Sequence, residues 1–260
     1  MRVIVTRPER DAQRWVQDLS QRGLQALALP LIDICPAANR QAVVEAWHQL
    51  DGCAAAMFVS GNAVEEFFRA RPEPTARLFT SASTAPRAWA TGPGTAGALL
   101  AAGVAPSLLD APPPDAPQFD SEALWRVVQG QAVAGARMLI VRGSDSEGRS
   151  MGRDWFASQL ESRGCTPAFV VAYERHVPQW TQAQREQAQG AAADGSVWLF
   201  SSSEAIANLL QLLPGQDWRQ ARAVATHARI AQAAREAGFA VVCESRPALD
   251  SVVASIESSA

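Results

Sequence analysis

Short apolar runs alternate with amphipathic stretches along the whole chain, and this alternation restricts the fold more than any other feature. Val3–Thr6 is a run of the kind found in buried parallel strands. Pro8 suits a first helical turn, and Ala12, Trp15, Val16 and Leu19 then recur at helical spacing until Gly23. The same reading predicts strands over Leu24–Leu29, Leu31–Cys35, Ala54–Val59, Arg87–Thr91, Arg137–Val141, Val170–Val177, Val197–Phe200, Arg222–Thr226 and Phe239–Cys243. Between them it predicts helices over Arg40–Leu50, Asn62–Phe68, Thr95–Ala102, Ser121–Gln129, Arg153–Arg163, Gln182–Ala192, Glu204–Leu213 and Arg229–Ala237, with one more at the C-terminus. Asn62, with Glu65 three positions on, predicts a capping box. Strands that alternate with helices throughout mean a parallel-sheet α/β architecture.

The chain runs through this pattern twice. Val3–Arg7 matches Met138–Arg142, and Thr91–Ala96 matches Thr226–Ala231, both 135 residues apart. Met57–Val64 matches Leu199–Ile206 at a separation of 142. Three matched strand-to-helix corners in the same order imply two related domains, which suits 260 residues, since a single domain usually has about 100–200.

A hydrophobic content of 48% and a charged content of 19% are those of a globular chain that buries a full core. The net charge of −3 argues against a general nucleic-acid binder, which concentrates Lys and Arg on one face. All 23 basic residues are arginine, whose planar fork of donors suits carboxylates and phosphates. Cys35, Cys53, Cys165 and Cys243 show no C-x-x-C spacing, and His48, His176 and His227 form no ligand set. Reduced thiols are therefore expected, and no structural metal. The N-terminal Met1–Pro8 reads as a strand and turn instead of a signal peptide, and no apolar run approaches the ~18 residues of a membrane span. The expected location is cytoplasmic, with no membrane contact.

In open α/β sheets, ligands bind beyond the carboxyl ends of the strands, where helix N-termini present free N–H groups and favour anions. Ser60, Asn62, Thr95, Ser202 and Ser203 fall at such corners, as do Arg7 and Arg142. Each hydroxyl is also explained by helix capping. Gly92–Gly97 fits the G-x-G-x-x-G dinucleotide pattern, but Pro93 removes a backbone donor and the matching corner at Thr226 has no glycines. Nucleotide binding is not expected. Val170-Val171-Ala172-Tyr173-Glu174-Arg175-His176-Val177-Pro178 carries the only tyrosine of the chain, inside a strand closed by Pro178.

Taken together, these segments resemble the uroporphyrinogen-III synthase family. The carriers are Val5–Pro8, Phe58–Val64, Thr91–Ala96, Ser121–Leu124, Leu139–Gly143, Tyr173 with Arg175 and Pro178, Ser201–Glu204, and His227–Ala231. They span nearly the whole chain in family order. The resemblance implies two similar flavodoxin-like parallel-sheet domains joined by a two-strand linker, with substrate in the cleft between them. The crossings fall at Leu31–Pro36 and Val170–Pro178, which gives residues 1–34 with 174–260 as one domain and 35–173 as the other. Composition alone would place the break at the proline run Pro112–Pro117.

The implied reaction cyclises hydroxymethylbilane, a linear tetrapyrrole with eight carboxylates, to uroporphyrinogen III. Water is lost, and the last pyrrole is inverted through a spiro intermediate. No cofactor or metal is implied, and the partners are the small-molecule substrate and, transiently, the preceding pathway enzyme. Departure of the terminal hydroxyl needs a proton donor. A tyrosine, with a pKa near ~10, keeps its proton at neutral pH, and Tyr173 matches the family's tyrosine. Carboxylate contacts are assigned to Ser60, Asn62, Thr95, Ser202 and Ser203, with Arg7, Arg142, Arg153 and Arg229 as cations. Two departures stand out. The loop 144–151 is longer than the family's usual link, which leaves Arg149 and Arg153 as rival cations. His227 and Arg229 stand where many relatives carry proline and threonine. A chain of this pattern that only binds or senses a polycarboxylated ligand, without turnover, is the alternative.

Overall fold

The computed structural model describes residues 2–75, 78–80, 85–149 and 155–258. The chain divides into two compact units, Met1–Asp33 with His176–Ala260 and Ile34–Arg175. The first unit opens with β1 (Arg2–Val5), α1 (Glu9–Gln21) and β2 (Gln25–Ala28). The chain continues through β3 (Asp33–Pro36), α2 (Arg40–Gln49), β4 (Ala55–Phe58), α3 (Gly61–Arg69), β5 (Arg87–Ala90) and α4 (Pro93–Ala101). It then forms β6 (Leu109–Asp110), α5 (Ser121–Val128), β7 (Arg137–Asp145), α6 (Trp155–Ser162) and β8 (Thr166–His176). The first unit is completed by α7 (Gln182–Ala193), β9 (Val197–Phe200), α8 (Ser203–Leu212), β10 (Arg222–Ala225), α9 (Ala228–Glu236), β11 (Val241–Glu244) and α10 (Leu249–Ser258).

The two sheets share one plan. The first has the order β11-β10-β9-β1-β2, and the second β3-β8-β7-β4-β5-β6. The strands that the sequence repeat equates, β1 with β7 and β9 with β4, occupy the same place in each order. Their registers agree residue by residue: Val3 lies opposite Val197 in one sheet, and Met138 opposite Ala55 in the other. Likewise Arg222 pairs with Val197, and Arg87 with Ala55. Parallel neighbours cannot be joined by hairpins, so helices make the crossovers. What differs is the order in which the chain visits the strands: β1 and β2 come first in one unit, whereas their counterparts β7 and β8 come last in the other.

The central strands β4 and β9 are buried at all four positions, Ala-Ala-Met-Phe and Val-Trp-Leu-Phe, as strands covered on both faces must be. In the first unit one face packs Val3, Val5, Val197, Leu199 and Val224 against Trp15 and Leu19 of α1 and Ile256 of α10. Its other face carries an aromatic group in which Trp218 stacks on Phe239 at 5.2 Å and meets Trp198 edge-on. In the second unit Phe58 and Val141 pack with Trp47, Phe67 and Leu99 on one face, and Met57 and Ile140 with Leu124, Phe156 and Leu160 on the other. Trp47 stacks on Phe67 at 4.5 Å and donates its indole N–H to the Phe67 carbonyl at 2.8 Å. Each such fully buried side chain contributes about 1.5–3 kcal/mol through removal from water.

Several boundaries differ from the sequence expectation, each for a local reason. The cap of α3 is Ser60, whose hydroxyl accepts from the Ala63 N–H, and Asn62 lies inside the first turn without capping it. Helix α4 starts at Pro93, where a missing N–H costs nothing because first-turn donors have no intrahelical partner. Strand β7 continues four residues past Val141, because Gly143, Ser144 and Asp145 pair with Tyr173, Glu174 and Arg175. Of the loop expected over 144–151, Ser144 and Asp145 belong to β7 and a turn follows in which Asp145 accepts from the backbone of Glu147 and Arg149, while residues 150 and 151 lie outside the described residues. The two-residue strand β6 was not expected.

Candidate functional site

The sequence-predicted residues in the described parts sit just past strands or in the helix turns that follow them, except Arg142 and Tyr173, which lie within β7 and β8, each three residues before its strand ends. In the first unit these are Arg7, Ser202, Ser203, His227 and Arg229. Ser202 caps α8 by accepting from the Glu204 N–H at 3.2 Å, and Ser203 is the first helical residue. His227 caps α9: its Nδ1 accepts from the Arg229 N–H at 3.1 Å, which requires the tautomer with the proton on Nε2. The backbone of Arg229 thus serves the cap, and its side chain is exposed.

Arg7 follows β1, with its guanidinium 4.5 Å from the centroid of Trp15 of α1. Its Nε is out of solvent and has no hydrogen-bond partner among the described residues. Burial lowers the pKa of Arg7, opposed by the nearby Asp11 and reinforced by Arg14. A buried donor of this kind gains from an anionic acceptor, and arginine offers a planar pair of donors to a carboxylate. Arg142, the repeat counterpart of Arg7, is placed alike: its guanidinium lies 4.1 Å from the centroid of Phe169 on β8. The sequence pattern places Trp15 on the face of the first helix and gives Phe169 no role; neither is a cation partner by pattern.

The second unit brings Ser60 and Tyr173 together. Ser60 Oγ lies 3.2 Å from Tyr173 Oη, and either can donate. Tyr173 is only 3% exposed, and its ring belongs to the core that includes Phe58, Val141 and Ala172. Asn62 and Thr95 lie in the first turns of α3 and α4, Thr95 buried and Asn62 half-buried. The corners of these two helices are close: a methyl group at Gly61 would lie 3.8 Å from the Ala98 Cβ and 3.9 Å from the Gly94 carbonyl oxygen. The glycine-rich corner before α4 is closed by protein, since a Cβ at Gly92 would come within 2.9 Å of the Phe119 Cβ.

Arg149 is engaged locally, with ion pairs to Asp145 at 2.9 Å and Glu147 at 2.7 Å. Arg153, with the rest of the Gly152–Asp154 triplet, lies outside the described residues. Among the described residues no cluster of three His, Cys, Asp or Glu could hold a metal ion, and no helix is long and apolar enough to cross a membrane. All four cysteines are free thiols.

Sequence reasoning missed Gly143 and Thr6. The Thr6 hydroxyl donates to the Leu199 carbonyl at 2.7 Å and ties β1 to β9 beside Arg7. Gly143 lies directly beneath the Tyr173 ring. A glycine within a strand is a signal of close approach, but the sequence pattern ends the strand at Val141, so Gly143 becomes a strand residue only in the structure.

Fold and residues define a class: a duplicated parallel α/β protein in which hydroxyls and guanidiniums gather at helix N-termini and strand ends of each unit. The family described as uroporphyrinogen-III synthase HemD matches residues 13–254, and the chain belongs to that family. Solved structures agree in fold. Uroporphyrinogen-III synthetase from Helicobacter pylori is 16% identical, with 99% of each chain covered and a TM-score of 0.60. A mutant uroporphyrinogen III synthase from Thermus thermophilus is also 16% identical, with 100% of this chain and 98% of that one covered and a TM-score of 0.53. The family is one of cyclising lyases that act in tetrapyrrole biosynthesis.

Proposed function

We propose that this chain cyclises hydroxymethylbilane to uroporphyrinogen III with Tyr173 as the proton donor to the departing hydroxyl. The family match over residues 13–254 carries the reaction class. The placement of Tyr173 beside Ser60 supports the role of the phenol.

The chemistry asks for little besides position. The terminal C–O bond breaks, the hydroxyl takes up a proton and leaves as water, and a carbocationic chain end remains. The carbon of the last pyrrole that already carries its methylene bridge attacks it to form the spiro intermediate; the old bond to that bridge then breaks, the bridge re-bonds at the ring's other α-carbon, and that carbon loses its proton. Atoms and electrons balance without an oxidant or reductant, which supports a cofactor-independent reaction. A phenol holds its proton at neutral pH and donates it over hydrogen-bond distance. Holding the chain end so that the disfavoured carbon attacks is a matter of orientation, and well-oriented intramolecular steps gain about 7–11 kcal/mol.

The substrate's carboxylates are assigned to the helix N-termini at Ser60, Asn62 and Thr95 in one unit and Ser202, Ser203 and His227 in the other, where free N–H groups favour anions. Arg7, Arg142, Arg153 and Arg229 supply the cations. The buried Nε of Arg7, without a hydrogen-bond partner among the described residues, supports its assignment most directly. Free thiols fit a cytoplasmic location. Transient hand-over from the preceding pathway enzyme fits a substrate that closes spontaneously to the type I isomer. Supplied with fresh hydroxymethylbilane, the purified protein consumes it faster than buffer does and releases the type III isomer. Type I as the sole product overturns the reading.

A further inference from the structure

We infer that Gly143 is the residue that positions the Tyr173 phenol, by providing a strand surface bare enough for the ring to lie on. Strand β7 pairs with β8 in regular parallel register up to Arg142 opposite Val171, and the next pair is Gly143 opposite Tyr173. Ala172 is therefore an extra residue, a β-bulge in β8. A bulge re-aims the side chain that follows it. Here it lays the Tyr173 ring across Gly143. A Cβ at Gly143 would lie 2.6 and 2.8 Å from the two ring Cε atoms, and closer still to Cζ, the carbon that bears the hydroxyl. Ordinary carbon contacts are about 3.5–4.0 Å, so any side chain at this position displaces the phenol end by roughly 1 Å. The displaced ring is driven into a packed interior, since Tyr173 is buried and belongs to the core cluster that holds Phe58, Val141, Val170 and Ala172. Its hydroxyl stands 3.2 Å from Ser60 Oγ, already a long hydrogen bond, so a shift of that size breaks the contact. Gly143 has no need of glycine for its own backbone, because its φ lies outside the left-handed region. The space, not the backbone, requires glycine.

This inference rests on the assignment of Tyr173 as the proton donor, and a kinetic cycle separates the two. Wild type, Gly143→Ala, Tyr173→Phe and the double variant are compared by kcat and KM with hydroxymethylbilane. Misplacing a reacting group by about 1 Å costs on the order of 10²-fold. Gly143→Ala is expected to lower kcat by that factor with KM within about threefold. Adding it to Tyr173→Phe is expected to cost nothing further, because no catalytic proton remains to be misplaced. Undiminished turnover in Tyr173→Phe defeats the donor assignment itself. Slow Tyr173→Phe with unchanged Gly143→Ala, or an equal loss from Gly143→Ala in both backgrounds, defeats only the positioning role. Tyrosine labelled with ¹³C at Cζ gives a single resonance, as the chain has one tyrosine, and that resonance is expected to move in Gly143→Ala. An unmoved resonance counts against the contact. If Gly143→Ala does not accumulate as folded protein, recovery of folding on adding Tyr173→Ala supports the contact, and continued failure overturns it.

Discussion

Replacing Ser60 by alanine should cost more than replacing any other helix cap in the protein. Its hydroxyl does two things: it accepts the Ala63 N–H at 3.2 Å, and it meets Tyr173 Oη at 3.2 Å. Loss of a serine cap costs about 1 kcal/mol. Leaving a buried hydroxyl without its partner adds about 1–3 kcal/mol, and Tyr173 is buried. Ser60→Ala is thus expected to destabilise the second unit by about 2–4 kcal/mol in total. Ser202→Ala provides the comparison, since among the described residues Ser202 bonds only the Glu204 N–H of the counterpart helix and its loss should cost only about 1 kcal/mol. The assay is equilibrium urea unfolding of wild type, Ser60→Ala, Tyr173→Phe and the double variant. Because Tyr173→Phe removes the hydroxyl that Ser60 would leave stranded, Ser60→Ala should cost only its cap, about 1 kcal/mol, in that background. The cycle should therefore show a coupling of at least about 1 kcal/mol. Additivity within about 0.5 kcal/mol, or equal costs for Ser60→Ala and Ser202→Ala, would show that the two hydroxyls do not support each other.

Three further outcomes follow from the same geometry. Tyr173→Phe is expected to lower kcat by about 10²-fold or more while binding of the cyclic product stays nearly unchanged, and equal losses in both would make the residue a binding group. Arg7→Met is expected to weaken product binding by about 2 kcal/mol, roughly 30-fold, through loss of a charge-assisted hydrogen bond, and calorimetry showing unchanged affinity would remove Arg7 from the site. The hydrogen bond from Arg219 holds the Asp217 carboxyl down at about 2. This is a depressed pKa, so whatever the pair adds to stability is present above the ordinary value of 3.8 and lost as pH falls through about 2. Titration of the Asp217 carboxyl carbon by NMR should show that low midpoint and its return toward 3.8 in Arg219→Gln; a midpoint near 3.8 in the wild type contradicts the pair.

The alternation and its repeat were legible because they are driven by burial. Val197–Phe200 is a continuous apolar run that has to lie inside a parallel sheet, and its boundaries were readable to the residue. The shared register of the two sheets follows from the same repeat. Less legible were features decided by pairing instead of composition. Gly143-Ser144-Asp145 has the composition of a turn, yet it extends β7 because β8 carries a bulge that brings Tyr173–Arg175 alongside. Leu109–Asp110 forms a strand only because β5 offers an edge to it. Asn62 looks like a cap by residue type, but the helix starts two residues earlier and gives that task to Ser60. In the candidate site, the residue types at the corners could be read from sequence. Their partners could not: Trp15 beneath Arg7, Phe169 beneath Arg142 and Gly143 beneath Tyr173 are set by tertiary contacts that leave no sequence signature.

The measurement that bears most directly on the account is the isomer composition of the tetrapyrrole formed from hydroxymethylbilane as the concentration of the purified protein is raised. Separation of the oxidised products should show type III rising with protein until it replaces the spontaneous type I isomer, and Tyr173→Phe should need far more protein for the same fraction. A type I product at every protein concentration would contradict it.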